Sequence, residues 1–313
     1  MPRVFPLLPL ALAGALSVGA GARAASDASP VVAVTIKPLH SLVAGVMAGI
    51  GKPDLVMPGT ALPRDYQPTA ADTARLAKAR LVFWIGPMLE RNFARPLAAI
   101  SGATEVVSVA EGPGVVLRPI RSAGAWGLED DTPAGTGDIS ATDGHLWLDP
   151  QNARAIVASA AARLGAADPA HAARYTANAA KLYARLDALD TTLRQKLAPT
   201  ARWRFLVYRD DYQYLEQRYR LPAEGAVLGA TRQPPGRLRL DAVRHQIQLS
   251  RARCVFAEPD SPEAVIDAVT DGLEVRTGSL DPDGIALKPG PDLYFELMTG
   301  LAGSLRKCLL GSD

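Results

Sequence analysis

Short apolar, β-branched runs alternate with longer amphipathic stretches along most of this chain. Val31 to Ile36 (VVAVTI), Leu55 to Met57, Leu81 to Ile85 (LVFWI) and Glu105 to Val109 are too short for buried helices and are interrupted by Pro or Gly, so they predict strands. Between them, Leu39 to Ile50 and Ala70 to Arg80 carry helical spacing. The second half repeats the rhythm. Strands are predicted at Phe205 to Tyr208, Gly225 to Leu228, Cys254 to Ala257 and Val275 to Leu280. Helices are predicted at Tyr212 to Tyr219, Leu238 to Ser250, Pro262 to Gly272 and Leu293 to Leu309. Strands apolar on both faces, separated by helices, point to parallel sheets covered on both sides.

The middle of the chain breaks the rhythm. Gly112 to Gly144 is rich in Gly, Asp, Thr and Ala, lacks periodicity, and predicts a mobile loop. Asn152 to Leu164 is helical, and Asp168-Pro169 is a cap and first turn for another helix reaching about Leu197, where Pro199 stops it. Tyr175, Leu182, Leu186, Leu189 and Leu193 share its apolar face. At 1.5 Å per residue it spans about 40 Å, and it is too short for the several heptads of a coiled coil. The expected fold is therefore α/β: two lobes, each with a mostly parallel sheet flanked by helices, joined by one long rigid helix. The N-terminal lobe is placed at 25–167, the linking helix at 168–198 and the C-terminal lobe at 199–313.

Residues 1–24 fall outside that scheme. Arg3, an apolar run from Phe5 to Ala20, and the small-x-small string Ala22-Arg23-Ala24 predict a signal peptide cleaved near Ala24, hence a periplasmic protein. The run is short and Gly-rich for a membrane anchor, and no cysteine near the cleavage point suggests lipidation. Cleavage leaves 32 basic against 32 acidic residues, which argues against a nucleic-acid or anionic-membrane surface; a monomer is expected. The chain's two cysteines, Cys254 and Cys308, suit a disulfide in an oxidising compartment, worth roughly 4 kcal/mol for a loop of about 55 residues. Two unpaired buried thiols are the other reading. No GxSxG, HExxH or Walker A string is present, so no enzyme is indicated. Asp210-Asp211 as an acid/base pair is a weaker reading than a cap or salt-bridge pair.

Several strings then take on a shared meaning. IKPLHSL at Ile36 to Leu42, PGTALPRDY at Pro58 to Tyr66, LVFWIGPMLE at Leu81 to Glu90 and HLWLDPQNAR at His145 to Arg154 follow one another in order. DDYQYLE at Asp210 to Glu216, CVFAEP at Cys254 to Pro259 and LDP at Leu280 to Pro282 complete the series. From about Val31 to Leu309 the chain resembles the zinc-type periplasmic solute-binding proteins of metal ABC importers, the ZnuA-like group (cluster A-I/cluster 9). The resemblance implies two rigid lobes on one long helix, a membrane permease as partner, a C-terminal disulfide matching Cys254 and Cys308, and Zn2+ held by three histidines with a carboxylate or water.

His145 and Asp281 match two of the family's ligands. The other two histidine positions hold Arg64, in Arg64-Asp65-Tyr66, and Arg209, in Tyr208-Arg209-Asp210-Asp211-Tyr212. The family's His- and acid-rich loop corresponds to Gly112 to Gly144, which holds Glu129, Asp130, Asp131, Asp138 and Asp143 but no histidine. A guanidinium offers no lone pair and does not deprotonate, whereas zinc needs four donors. A bare unit charge about 5 Å from a divalent ion costs roughly 6 kcal/mol at an effective dielectric near 20. Two readings follow. His145 and Asp281 hold a metal with help from Asp65, Asp210 or Asp211; or Arg64 and Arg209 pair with Asp281 and its neighbours, or clamp an anion, in a metal-independent cleft. Taken alone, His145 is a polar loop-end residue and Asp281 a cap. His171 and His245 lie on helices, and His40 lies where the family places no ligand.

Overall fold

The computed structural model describes residues 1–2, 30–100, 102–121, 124–126, 142–229 and 234–311. The expected leader and the centre of the 112–144 loop lie outside the described residues.

Two four-stranded parallel sheets form the two lobes. The first holds β1 (Val32–Val34), β2 (Asp54–Leu55), β3 (Leu81–Trp84) and β4 (Glu105–Ser108) in the order β2-β1-β3-β4. The second holds β5 (Phe205–Val207), β6 (Ala223–Ala226), β7 (Cys254–Ala257) and β8 (Arg276–Ser279) in the order β6-β5-β7-β8. β1, β3 and β5 are buried along their whole length, as their unbroken apolar runs require. Every strand pair is parallel, so each lobe gathers its strand C-termini at one end.

The helices follow the periodicity closely. They are α1 (Lys37–Val46), α2 (Ala70–Lys78), α4 (Pro150–Ala167), α5 (Ala172–Leu197), α6 (Gln213–Tyr219), α7 (Arg237–Ser250), α8 (Glu263–Thr270) and α9 (Leu293–Leu310). One helix, α3 (Arg91–Ala98), is not signalled by the sequence pattern: it is only eight residues long and carries Pro96 inside it, which forgoes one i→i−4 hydrogen bond. Pro169–His171 forms a tight 3-10 turn before α5, so the linking helix begins slightly later than its predicted start. α5 buries Tyr175, Leu182, Leu186, Leu189 and Leu193, the predicted stripe.

One core cluster runs through both lobes, from Val32 and Phe83 through the α5 leucines to Tyr294 and Leu305. Polar ties cross with it. Lys37 Nζ donates to the carbonyls of Gly284, Ile285 and Leu287 at 2.8–3.0 Å. Trp147 Nε1 donates to Pro282 O at 3.0 Å, and Tyr294 OH to Trp147 O at 2.8 Å. Packed apolar surface and satisfied buried donors resist relative movement of the lobes. The disulfide between Cys254 and Cys308 is formed, fastening β7 to α9. Among the described residues no helix is long and apolar enough to cross a membrane.

Candidate functional site

Strand-end loops of the two lobes face one another, the place where open parallel sheets bind ligands. The turn after β2 carries Arg64. The end of β5 carries Arg209, Asp210 and Asp211. Asp143 and His145 precede the 3-10 turn Leu146–Leu148 that opens into α4. Arg64, Ile120, Arg121, Asp143, Arg209 and Asp210 line a cavity of only about 30 Å3, roughly one water's share of liquid volume.

His145 is buried and held from its own side of the cleft. Its backbone N–H donates to Asp143 Oδ1 at 3.0 Å, and Nδ1 stands 2.7 Å from the same oxygen. Asp211 Oδ1 lies 3.5 Å from Nδ1. A carboxylate oxygen accepts, so Nδ1 is the donor in this contact. That is how a histidine is oriented for a metal. Gly144 makes this placement possible: a Cβ there would stand 2.6 Å from Leu89 Cβ, so any side chain would push the loop, and His145 with it, outward.

The opposite wall is built differently. Arg209 donates to Glu258 and, through Nη1 at 2.9 Å, to Asp260, with Tyr212 OH donating to the second oxygen of Glu258 at 3.1 Å. Burial alone would lower the Arg209 pKa, but its hydrogen bonds to Asp260 and Glu258 and their charges hold it above the ordinary arginine value. Arg121 forms a second such knot. It grips Asp210 with two nitrogens, Nε to Oδ2 at 2.9 Å among the contacts, reaches Glu216 Oε2 at 2.7 Å, and stacks 3.4 Å over the Trp126 ring. Burial pushes Asp210 up, and Glu216 up to about 7, in both cases against the pull of Arg121.

Arg121 comes from the segment predicted to be a mobile loop. In its described parts that segment crosses onto the C-terminal lobe. Gln213 donates to Pro119 O at 2.9 Å, and Arg118 N to Tyr214 OH at 3.0 Å. Arg239 Nη2 donates to Ala125 O at 3.0 Å. Gly225, at φ +155°, lets the Ala125 carbonyl come within 2.7 Å of where a Cβ would stand.

The structure thus gathers Arg64, Arg209 and Asp210 around one cavity, with His145 and Asp211 beside it. Asp65 is exposed on its turn. Asp281 Oδ2 accepts from Ala286 N at 3.3 Å and lines a separate cavity with Ser279, Leu287 and Glu296. The acids that meet Arg209 are Glu258 and Asp260, not Asp281. Both follow β7 in the string CVFAEPD, so the strand-end rule marks them in the sequence; Arg121, in a stretch without periodicity, carries no comparable signal. The pairing also changes the electrostatics expected from sequence. Arg209 and Arg121 are each met by two carboxylates, so a bare-charge repulsion overstates their effect on a cation. What they do is consume the oxygens. Among the described residues no three His, Cys, Asp or Glu converge on a point that could hold a metal ion.

Two parallel α/β lobes on a continuous helix, facing each other through strand-end loops, define a rigid two-lobed solute-binding protein. Solved structures share that fold. One described as the crystal structure of ZnuA is 20% identical, covers 90% of this chain and 99% of its own, and superposes with a TM-score of 0.75. The periplasmic zinc-binding protein TroA from Treponema pallidum is 22% identical over 90% of this chain and 99% of its own, with a TM-score of 0.72. The chain belongs to the ZnuA family, zinc-uptake complex component A, periplasmic, which it matches over residues 32–308. The high-affinity zinc uptake system protein ZnuA of Brucella abortus (strain 2308) is 35% identical, covering 89% of this chain and 91% of that protein. The protein of the same name from Paracoccus denitrificans (strain Pd 1222) is 32% identical, covering 97% and 99%.

Proposed function

We propose that this chain is the periplasmic solute-binding component of a zinc-type ABC uptake system whose cleft is held shut by internal ion pairs and takes zinc weakly. It acts without catalysis, and its partner is a membrane permease. The observation that carries this reading is Arg209 seated between Glu258 and Asp260 in the same cavity as Arg64 and Asp210. A zinc ion arriving there meets the Nε2 of His145 and oxygens already committed to guanidinium groups. Binding therefore requires breaking a buried pair, which costs about 3 kcal/mol or more. The alternative is a metal-independent relative. In it the same ion pairs perform the closure that a ligand provides elsewhere, and the protein serves a regulatory or partner-binding role. Saturation of Arg209 and Arg121 by carboxylates favours such a lock over an anion clamp.

Thermal melting of the chelator-stripped mature protein tests the closed cleft that both readings share. Bound ligand raises the midpoint by mass action, by roughly 2.7 kcal/mol of stability at a hundredfold excess over Kd. At 100 μM zinc or phosphate the expected shift is small for both. A large zinc shift that vanishes in His145→Ala would overturn the weak-zinc reading, and a large phosphate shift would restore the anion clamp.

A further inference from the structure

The roomiest cavities among those described are not in the cleft. They lie along the outer edge of the C-terminal sheet, between β8 and α9. One, of about 510 Å3, is lined by Arg276, Thr277, Ser279, Ser304 and Lys307. Another, of about 320 Å3, shares Ser279 and Ser304 with it and continues to Asp281 and Glu296. Together they make one trough with a basic end and an acidic end.

The floor of this trough is a sheet edge. Among the described residues β8 pairs with β7 alone, in parallel register. Arg276 and Leu280 donate their N–H groups to Arg253 O and Ala257 O. In a parallel ladder alternate residues face alternate sides, so the N–H and C=O of Thr277 and Ser279 point away from β7, and both residues are exposed. An edge of this kind pairs with an incoming extended backbone unless something covers it. The wall is α9, which presents Gly300, Ser304 and Lys307 to the trough. Nothing lies within 4 Å of a Cβ built on Gly300. Cys308 is disulfide-bonded to Cys254 directly beneath, and a Cβ on Gly278 would stand 3.2 Å from that of Cys308, so helix and strand are fastened at a fixed spacing.

We infer that this trough is a peptide-docking site: an extended segment of a partner protein, about five residues long at strand rise, adds to β8 as a further strand beneath α9. Backbone hydrogen bonds to Thr277 and Ser279 hold the segment. The charges at the two ends set its direction, with an acidic residue beside Arg276 and Lys307 and a basic residue beside Asp281 and Glu296. At its acidic end the trough reaches Pro259, in the turn whose Glu258 and Asp260 meet Arg209.

The test uses the whole mature protein and two synthetic blocked pentapeptides, Glu-Thr-Val-Thr-Lys and its reverse. One of them is expected to bind with Kd on the order of 100 μM, at least tenfold tighter than the other, and to slow hydrogen exchange at the Thr277 and Ser279 amides. Thr277→Pro with Ser279→Pro removes only outward-facing donors, which an edge strand tolerates. This variant is expected to melt normally and to lose peptide binding at least tenfold. Ser304→Phe, which fills the trough from the helix side, should lose it as well without altering the strand. Unchanged exchange at both amides with either peptide at 1 mM, or full binding by the folded prolyl variant, would overturn the assignment. So would a concentration-dependent dimer abolished by the same prolines, because the edge would then be serving a second copy of this chain.

Discussion

The two walls of the cleft meet charge in different ways. On the N-terminal side, His145 is positioned as a metal-binding histidine should be, with Nδ1 on Asp143 and a glycine packed against Leu89 behind it. On the C-terminal side, the corresponding position belongs to Arg209, and the surrounding acids have turned inward to meet it. His145 is held by Asp143, whereas Arg209 brings a positive charge of its own to Glu258 and Asp260. The difference teaches that a guanidinium seated between two carboxylates satisfies that side of the cleft from within the chain. Arg121 and its knot with Asp210 and Glu216 extend the same logic across the lobes.

The comparison breaks most directly if the walls can be made alike. Arg64→His with Arg209→His is expected to raise zinc affinity at least a thousandfold, about 4 kcal/mol. It should also make the melting temperature strongly zinc-dependent, since Glu258 and Asp260 then lack a cation. Unchanged affinity in the folded double variant would mean that these positions do not govern the site.

Removing one guanidinium without replacing it sharpens the contrast. Arg209→Ala strands the buried Glu258, 3% exposed in its side chain, beside Asp260. The expected loss is about 3 kcal/mol, or some 6–12 °C in melting temperature for a chain of this size. His145→Ala, which removes one hydrogen-bond partner of Asp143, should cost less.

A pH profile separates carboxylates that have a cation from one that does not. Glu90 is fully buried and accepts from the backbone N–H of Ile85 at 2.7 Å and of Gly86 at 3.3 Å. Burial raises its pKa from 4.5 to about 7, against those hydrogen bonds. The folded state therefore holds its proton more tightly than the unfolded chain. The stability this contributes is complete below about pH 4.5 and is lost as pH rises toward 7. Glu90→Gln should melt about as the parent does at pH 4.5 and be more stable by about 2–3 kcal/mol at pH 8. A gain that is the same at both values would contradict the burial argument. The smallest effect is expected at Asp65, exposed on the turn beside Arg64: Asp65→Asn should change stability by less than about 0.5 kcal/mol and leave metal binding unaltered.

Much of the fold was legible in the sequence because its signals are local. Runs such as LVFWI and CVFA can be satisfied only as buried strands, and the leucine stripe of α5 follows the helical period over 26 residues. α3 was hidden because it is short and carries a proline, Pro96, inside it. In the candidate site, Arg64, Arg209 and His145 could be singled out from their strings. Glu258 and Asp260 stand at a strand end in theirs, but their pairing with Arg209 and the reach of Arg121 could not be read, because both depend on which loops fold against which. Asp281 shows the same limit from the other direction: its string fits, but its carboxylate turns to Ala286 N and lines the trough under α9.

The claim that the cleft is completed by arginine rather than by cargo stands on one quantity, the zinc affinity of the unaltered protein. Competition against a chelator of known affinity at neutral pH, on mature protein stripped of metal, measures it directly. The expected result is a Kd weaker than about 1 μM, or −8.2 kcal/mol, with His145→Ala nearly indistinguishable. Binding near 1 nM that disappears in His145→Ala would contradict it.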